Sequence, residues 1–265
     1  MPLPHRQSVG YARGTMRLTL VRHATLLIDI AGTRILVDPA FDPAGSQPPV
    51  DGTPIPRPNP LVELPATPAQ VVDDVDAVIV THLHQDHLDG SAARLIADLP
   101  VYCQPDDVAR LVHVGLAPTA IDGPCMIGAV AVVPTSGHHG TGALGDSLGP
   151  VSGVVLRAAD EPTVYVAGDT VLCDEVREVI VDEGPDIVVV NAGAARFIVG
   201  DPITMDADDV VGVARLAAQA AVVVVVHMEA FNHCLLGRAD LRARLAAEGL
   251  ADRVHVLDDG TAIAA

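Results

Sequence analysis

The sequence lacks tryptophan altogether and contains only three phenylalanines and three tyrosines among its 265 residues. Because single-stranded nucleic acids bind largely by stacking their bases on aromatic side chains, this scarcity removes their usual platform. The chain is also poor in positive charge, with 16 Lys and Arg against 34 Asp and Glu and a formal net charge of −18. Such a charge repels polyanions. We therefore predict that nucleic acid is not a partner.

Cysteine is scarce too, with four widely separated residues and no CxxC pair. A thiolate zinc site or a disulfide framework is therefore not expected, and we interpret the cysteines as small buried side chains. No apolar run approaches the roughly 18 residues that span a bilayer, and the first residues contain no signal-peptide pattern. We predict a cytoplasmic protein without a membrane span, whose oligomeric state is open and includes a homo-oligomer.

The composition predicts one globular domain after a short extension. Hydrophobic residues make up 49% of the chain and charged residues 19%, with no compositional break. Residues 1–15 contain Pro, Gly and Arg without apolar periodicity, so we predict a flexible N-terminal extension there and a folded domain over 16–265. The segment 41–68 is dense in proline and too long for a simple connection. Loops of this kind usually overhang a functional site.

Apolar runs and helical periodicity predict an α/β fold. The predicted strands are 16–21, 24–30, 33–39, 75–80, 101–103, 130–133, 152–158, 163–167, 186–190, 221–226 and 253–257. The predicted helices are 91–99, 106–115, 173–184, 207–220 and 238–249. The first half is mostly strands and the second half alternates helix with strand, which favours sheets packed face to face with helices outside.

Side chains that bind metals follow the ends of several apolar runs. Directly after the run VDAVIV comes THLHQDHLDG, residues 81–90. Alternate residues of an extended chain share a face, so His82 and His84 can bind one ion together, while Asp86 and His87 can reach a second ion beside it. Strand ends in α/β sheets lie at one rim, so later residues can converge on the same point. The later residues that follow apolar runs are His138, His139, Asp169 and His227.

The segments HLHQDH, GHHG, AGDT and VVVHMEA resemble the successive metal motifs of the metallo-β-lactamase superfamily. The segments RHATLLIDIAGTRILVDP and THLHQDHLD are similar to its branch that contains the L-ascorbate-6-phosphate lactonase and the phospholipase D acting on N-acyl phosphatidylethanolamines. The resemblance covers nearly all of residues 16–260. It implies a four-layer αββα sandwich and a metal-dependent hydrolase that cleaves a lactone, an ester or a phosphodiester in a small-molecule substrate.

Carried over by position, the resemblance implies two divalent metal ions, for which Zn is favoured and Mn or Fe is also compatible. The first ion would be held by His82, His84 and His139, and the second by Asp86, His87 and His227, with Asp169 bridging the two. The family mechanism implies a metal-bound hydroxide as nucleophile, which Asp86 would orient and deprotonate. His233 is a candidate proton donor to the leaving group, and a plain loop histidine is the alternative.

Other positions have competing interpretations. We prefer His139 to its neighbour His138 as a ligand, because the family motif runs His-Gly, and His138 would then support the ligand or face the substrate. We interpret His23 as a hydrogen-bonded core histidine and Arg196 as a surface residue, although Arg196 could hold an anionic group of the substrate. Asp38 could form a hydrogen bond to one of the ligands and so hold it in orientation.

Neighbouring activities in the superfamily are less consistent with this sequence. The true β-lactamases carry cysteine where Asp169 stands, and the di-iron oxygen reductases usually carry glutamate in place of His84, so neither activity is expected. Two further functions stay open: a mononuclear iron dioxygenase that acts on persulfides, and a non-catalytic, metal-stabilised binding protein. The number of candidate ligands favours the hydrolase over the dioxygenase. The presence of both Asp86 and Asp169 disfavours the binding protein.

Overall fold

The structure is a computed structural model that describes residues 16–265, and it contains two seven-stranded β-sheets. The first sheet consists, in spatial order, of β14 (Ala262–Ala264), β1 (Arg17–Arg22), β2 (Thr25–Ile30), β3 (Thr33–Val37), β4 (Ala77–Val80), β5 (Val101–Cys103) and β6 (Pro118–Ala120). The second consists of β13 (Val254–Val256), β12 (Val222–Val226), β11 (Ile187–Asn191), β10 (Val164–Val166), β9 (Val151–Arg157), β8 (Val130–Gly137) and β7 (Cys125–Ile127). The extension predicted at residues 1–15 lies outside the described residues.

Helices cover the outer faces of both sheets. Against the first sheet pack α1 (Pro68–Val71), α2 (Gly90–Leu95) and α3 (Val108–His113), the last preceded by a 3-10 turn at Pro105–Asp107. Against the second pack α5 (Asp174–Glu183), α6 (Ala207–Leu216) and α7 (Arg238–Ala247), while α4 (Gly142–Leu148) lies apart from this layer. Two sheets with helices on their outer faces confirm the predicted αββα sandwich. Among residues 16–265, none of the helices has both the length and the apolar character that a membrane span requires.

Alternate residues of the central strands face different hydrophobic layers. In β11, Ile187 and Val189 pack between the two sheets, whereas Val188 and Val190 pack under the helices of the second sheet. Burial on both faces explains why these strands read as continuous apolar runs, as parallel strands covered by helices do. The pairs β10 with β11, β11 with β12 and β12 with β13 are indeed parallel.

The sequence prediction missed several short elements, among them helix α1 with four residues. Strands β6, β7 and β14 have only three residues each, too few for a period of two to stand out, although the equally short β5 is predicted from its apolar run VYC. Helix α4 contains no buried residue, so it lacks the apolar stripe on which helix prediction depends. Helix α2 begins as predicted, with Asp89 accepting a hydrogen bond from the Ala92 amide, but it ends at Leu95 because the chain turns towards β5.

The last strand completes the first sheet. Strand β14 pairs antiparallel with β1, with Leu18 opposite Ile263, and the Leu20 amide donates to the Thr261 carbonyl. Strand β1 therefore has partners on both sides, β2 and β14, although these lie at opposite ends of the described chain. The turn between β1 and β2 is thereby fixed at the rim where the candidate site lies.

Candidate metal centre

The first cluster lies where β4 and β8 end. The histidine-rich loop after β4 presents His82 and His84, whose Nε2 and Nδ1 atoms lie 2.9 Å apart. His139 follows β8, and its ring centroid is 5.3 Å from that of His82 and 5.2 Å from that of His84. Ligand atoms of the three residues lie within 4.8 Å of one another. The structure thus brings together the three side chains that were predicted for the first ion.

The second cluster lies directly beside the first. Asp86, His87 and His227 offer ligand atoms within 4.8 Å of one another, and His23 belongs to the same group. The Nε2 atom of His227, which follows β12, is 3.4 Å from Oδ2 of Asp86. All three residues predicted for the second ion are therefore together, and His23 is an addition that the sequence analysis did not place there.

Asp169 contacts both clusters with a single oxygen. Its Oδ2 atom lies 3.3 Å from Nε2 of His87, 3.3 Å from Nε2 of His227 and 3.7 Å from Nε2 of His139. Its other oxygen, Oδ1, accepts a hydrogen bond of 2.7 Å from the Asn191 amide at the end of β11. Asn191 therefore fixes the carboxylate so that one oxygen points between the clusters, the position that a bridging group requires.

Hydrogen bonds behind the clusters orient the imidazoles. Nδ1 of His87 donates to Oδ2 of Asp38 over 2.8 Å, and Nδ1 of His139 donates to the Ile203 carbonyl over 2.8 Å. Asp38 is itself fixed by the amide and hydroxyl of Thr81, at 2.8 and 2.7 Å. In proteins that bind metals through histidine, such bonds leave Nε2 free for the ion. The supporting role that the sequence suggested for Asp38 agrees with this geometry.

The donor atoms fit divalent cations. Nε2 of His87 and Nε2 of His227 are buried and each lies 3.3 Å from Oδ2 of Asp169, without the geometry of a regular hydrogen bond. A cation bound among these atoms would coordinate them directly, and imidazole nitrogens together with carboxylate oxygens are the donors that Zn, Mn and Fe accept. The histidine and aspartate clusters are therefore able to hold metal ions.

Electrostatics divide the site into neutral and charged imidazoles. Burial lowers the pKa values of His82, His84 and His139, which keeps these ligands neutral. Burial opposes the charge on His87 as well, but the carboxylates of Asp169 and Asp38 outweigh it and raise the pKa of His87 to about 10. The pKa of His227 is likewise raised, since the Asp169 carboxylate outweighs burial.

The site carboxylates are ionised despite their burial. Burial acts to raise the pKa of Asp86, but the charge on His87 and hydrogen bonds from neighbouring imidazoles hold it well below its ordinary value. For Asp169, burial is again outweighed, chiefly by His227 and His87. Protons on His87 and His227 therefore partly balance the buried carboxylates of Asp86, Asp169 and Asp38 in the metal-free protein. Divalent cations bound between the same groups would displace these protons.

His23 is a buried, hydrogen-bonded histidine, as its sequence pattern predicts, and it also lies within the second cluster. It is fully buried and adopts a left-handed backbone with φ of 61°, a strained conformation that costs about 1–3 kcal/mol. Its Nε2 lies 3.1 Å from Oδ2 of Asp86, and its ring centroid is 3.7 Å from that of His227. Its carbonyl also accepts the His227 amide over 2.8 Å. The signal in the sequence is that His23, like the ligands, follows a strand.

The remaining candidates separate into those near the site and those outside it. Nε2 of His233 lies 3.3 Å from Oδ2 of Asp86. His138 points away, with Nε2 3.0 Å from Oε1 of Glu175 and a side chain that is 56% exposed. This geometry supports His139 as the ligand of the histidine pair. The Arg196 guanidinium donates to the Gly200 carbonyl over 3.0 Å and does not line the pocket beside the clusters.

Cys234 shows a contact that the sequence interpretation did not include. The thiol is buried, as predicted for all four cysteines, but its Sγ atom lies 3.5 Å from Nδ1 of His227. Two of the other cysteines, Cys125 and Cys173, are only partly buried. Cys234 therefore packs behind a candidate ligand, and the spacing of seven residues gave no sign of this.

A pocket of about 220 Å³ opens onto both clusters. The ionisable part of its wall contains His84, Asp86, His139, Asp169 and His233, and two amides, Asn59 and Gln85, also line it. The remainder of the wall is apolar and is formed by Pro48, Val50, Leu148, Phe197, Ile203 and Phe231. Pro48, Val50 and Asn59 belong to the proline-dense segment, which therefore overhangs the site as the sequence predicts.

Comparison with known proteins identifies the family. A model described as the Beta-lactamase superfamily domain matches residues 33–228. The UPF0173 protein YddR of Bacillus subtilis (strain 168) is 33% identical over 251 residues, which are 92% of this chain and 98% of that protein.

Two solved structures share the fold over almost the whole chain. The isothiocyanate hydrolase from Delia radicum gut bacteria has a TM-score of 0.88 and 33% identity, with 94% of this chain and 98% of that chain covered. A possible metal-dependent hydrolase from Veillonella parvula DSM 2008 has a TM-score of 0.90 and 30% identity, with 94% and 99% covered. Fold and relatives define a metal-dependent hydrolase, as predicted. The chain belongs to the beta-lactamase superfamily and, within it, to the UPF0173 family.

We predict that His84→Ala lowers the bound metal and reduces turnover by more than about 100-fold, because the first cluster loses one of its three imidazoles. The fold should persist, since His84 lies in a loop at the rim. Metal analysis and circular dichroism of purified protein measure both effects. His113→Ala, at an exposed position on α3, is the matched control. Unchanged metal content and activity in His84→Ala would show that the site is assigned wrongly.

A second prediction separates the adjacent histidines. His139→Ala should lose metal because Nε2 of His139 faces His82, His84 and Asp169, whereas His138→Ala should keep the metal and change turnover by less than about threefold. Each variant is the control for the other, since they differ by one position. Loss of metal only in His138→Ala would reverse the assignment.

A third prediction concerns pH. The pKa of His87 is raised to about 10, so the stability that its proton gives to the metal-free protein is complete below pH 6.5 and is lost as the pH rises through about 10. At pH 8 His87 keeps this proton, and adding Zn²⁺ to the chelated protein should release at least about one proton per chain, to which His227, whose pKa is also raised, adds. An indicator dye in weakly buffered solution measures the release. Metal binding without proton release at pH 8 would contradict this prediction.

Proposed function

We propose that this chain hydrolyses a small, uncharged electrophile that carries an apolar arm, such as an ester, a lactone or an isothiocyanate. One observation carries the proposal: the pocket over the two clusters has largely apolar walls, to which Val50, Leu148, Phe197, Ile203 and Phe231 contribute. Pockets of this kind bind the apolar part of a ligand by desolvation, while a few polar groups fix its reactive end.

The charges around the pocket disfavour a phosphodiester. Among the described residues, its wall contains neither lysine nor arginine, and the guanidinium closest in sequence to the wall, that of Arg196, is bonded to a carbonyl instead. Phosphate recognition ordinarily uses such cations or a helix N-terminus. Metal ions at the clusters would attract an anionic reacting group, but an anionic arm that extends into the apolar part of the pocket would meet no cation there, and the net charge of −18 opposes its approach. Of the three substrate classes that the sequence suggests, esters and lactones therefore suit this pocket better.

We propose two divalent ions, one held by each cluster, with Asp169 between them. The three imidazoles of His82, His84 and His139 would hold the first, and the second would be held by Asp86, His87 and His227. Bound cations of this kind supply Lewis acidity, which lowers the pKa of water and polarises an electrophilic carbon. Zn is favoured and Mn or Fe is compatible, since imidazole and carboxylate donors suit all three.

The chain's own side chains would move the protons. Oδ2 of Asp86 lies within 3.4 Å of three imidazole nitrogens and faces the pocket, so an ionised carboxylate is available to take a proton from the attacking water. His233 lies 3.3 Å from the same oxygen and lines the pocket wall. It is therefore positioned to pass that proton to the leaving group, which is general acid–base catalysis by a neighbouring pair.

The isothiocyanate hydrolase with 33% identity favours one member of this substrate class. An isothiocyanate is uncharged, and its carbon is electrophilic. Addition of water forms a carbon–oxygen bond and delivers one proton to nitrogen. Breakage of the carbon–nitrogen bond and transfer of the second proton to nitrogen then give an amine and carbonyl sulfide. The reaction needs only water, so the proton path through Asp86 and His233 is sufficient for its balance.

A substrate panel tests the proposal. We expect phenyl acetate, γ-decalactone or phenethyl isothiocyanate to be hydrolysed with a kcat/KM at least about 100-fold above that for bis(4-nitrophenyl) phosphate, because the apolar walls offer the phosphodiester no lysine or arginine, whereas they suit an uncharged substrate. Activity should be lost on chelation and return with added Zn²⁺ or Mn²⁺. Equal or faster cleavage of the phosphodiester would refute the neutral-substrate class.

The same samples distinguish hydrolysis from oxygen chemistry. We expect about two metal ions per chain, and turnover that is unchanged under nitrogen, because hydrolysis uses no oxygen. One iron per chain, together with oxygen consumption when a persulfide is supplied, would identify a dioxygenase instead. The narrower resemblance to the lactonase and phospholipase D branch, the cytoplasmic location and the oligomeric state stay predictions.

A further inference from the structure

A fully buried asparagine connects the proline-dense segment to the pocket. Asn232 lies between Phe231 and His233, which both line the pocket, while its own side chain is completely shielded from solvent. It is not part of either metal-binding cluster. Within the proline-dense segment, Pro48 and Val50 line the opposite part of the same pocket.

The Asn232 amide uses both of its polar atoms on the proline-dense segment. Its Oδ1 accepts hydrogen bonds from the Asn59 amide and the Val50 backbone, at 2.7 and 3.0 Å. Its Nδ2 donates to Oγ1 of Thr53 and to the Ile55 carbonyl, at 2.6 and 2.7 Å. The backbone amide of Asn232 also donates to Oδ1 of Asn59 over 2.9 Å. One side chain therefore bonds to four residues between positions 50 and 59.

The proline-dense segment is also hydrogen-bonded beside Phe197, which lines another part of the pocket. The Ile198 amide donates to the Gly52 carbonyl over 2.8 Å, and Ile198 directly follows Phe197, a pocket residue. The base of the segment is fixed separately, because the buried Arg22 guanidinium donates to the carbonyls of Ala40 and Val62. Asn232 thus forms hydrogen bonds with the part of the segment that contributes to the pocket wall. Arg22 forms hydrogen bonds with the chain before and after that part.

We propose that Asn232 is a positioning residue that sets the substrate preference of this enzyme, by holding Pro48 and Val50 at a fixed distance from Phe231 and His233. The proposal rests on the proposed function, since it concerns the apolar pocket that would receive the substrate's arm. Asn232 itself offers no ligand atom to the clusters, and all of its side-chain hydrogen bonds go to the proline-dense segment, so we expect it to act on the fit of the arm more than on the reacting atoms. A pocket fixed in this way is formed before the substrate arrives, which lowers the ordering cost of binding.

The variant Asn232→Asp tests this directly, because it keeps the size of the side chain and the Oδ1 acceptor but replaces the donor to Thr53 and Ile55 with an oxygen. We expect amide hydrogen exchange over residues 46–61 to become at least about tenfold faster, while exchange in the central strands is unchanged. Metal content should equal that of the parent protein. Ser46→Ala is the matched control in the same segment, because the Ser46 hydroxyl bonds only to Pro43.

Kinetic constants distinguish a role of Asn232 in positioning the pocket wall from a role in the stability of the fold alone. For phenethyl isothiocyanate we expect KM to rise about tenfold in Asn232→Asp with kcat changed less than about threefold, whereas methyl isothiocyanate, which has almost no arm, should show little change in either. Thr53→Val removes one bond to Asn232 together with the hydroxyl's bond to the Val50 carbonyl in the same segment, and it should shift the same quantities in the same direction by a smaller factor. It serves as the milder variant if Asn232→Asp does not fold.

Binding of phenethyl alcohol, an uncharged apolar probe, tests the pocket without turnover. Saturation-transfer NMR should show binding to the parent protein and about tenfold weaker binding to Asn232→Asp. If no ester, lactone or isothiocyanate is turned over, the proposed function fails, yet exchange and probe binding still decide the role of Asn232. Unchanged exchange over 46–61, or faster exchange with unchanged probe affinity, would overturn the inference.

Discussion

The burial of two ionised carboxylates, Asp86 and Asp169, among imidazoles is the constraint on which the rest of this structure depends. A buried charge is tolerated only when it is surrounded by partners, and no single segment could supply them all. The partners come from the ends of strands in both sheets, and hydrogen bonds from Asn191 and to Asp38 hold them in orientation. The two sheets are therefore joined at this rim by the polar cluster as well as by the apolar layer between them.

Much of the fold and of the candidate site could be predicted because both depend on local signals. Strands β11 and β12 read as apolar runs since both of their faces are covered, and each candidate ligand directly follows such a run. The burial of His23 is predictable, but its place in the second cluster is not, since a single histidine far from the other candidates has no spacing that relates it to them. The role of Asn232 could not be predicted, because its partner Asn59 lies 173 residues away in the sequence and their contact exists only in the folded chain.

The groups suited to chemistry and those suited to recognition lie on different parts of the chain. The clustered histidines and aspartates follow strands, where the sheets fix their positions, whereas most apolar wall residues lie in connecting segments. Loops accept sequence change far more readily than strand ends do. A superfamily built in this way can keep its metal-binding residues while its substrates diverge, which is why the motifs in this sequence specify the reaction class better than the substrate.

The position of β14 beside β1 has a consequence for how the chain folds. Strand β1 pairs with residues near position 263, so β1 lacks this partner until the second sheet and its helices have been synthesised, after which the edge of the sheet is the three-residue β14. Contacts between residues so distant in sequence slow folding, and an unpaired strand edge invites association with other chains. The nascent protein therefore exposes an open sheet edge for most of its synthesis, and recombinant yield should depend on synthesis rate and temperature more than on the stability of the finished fold.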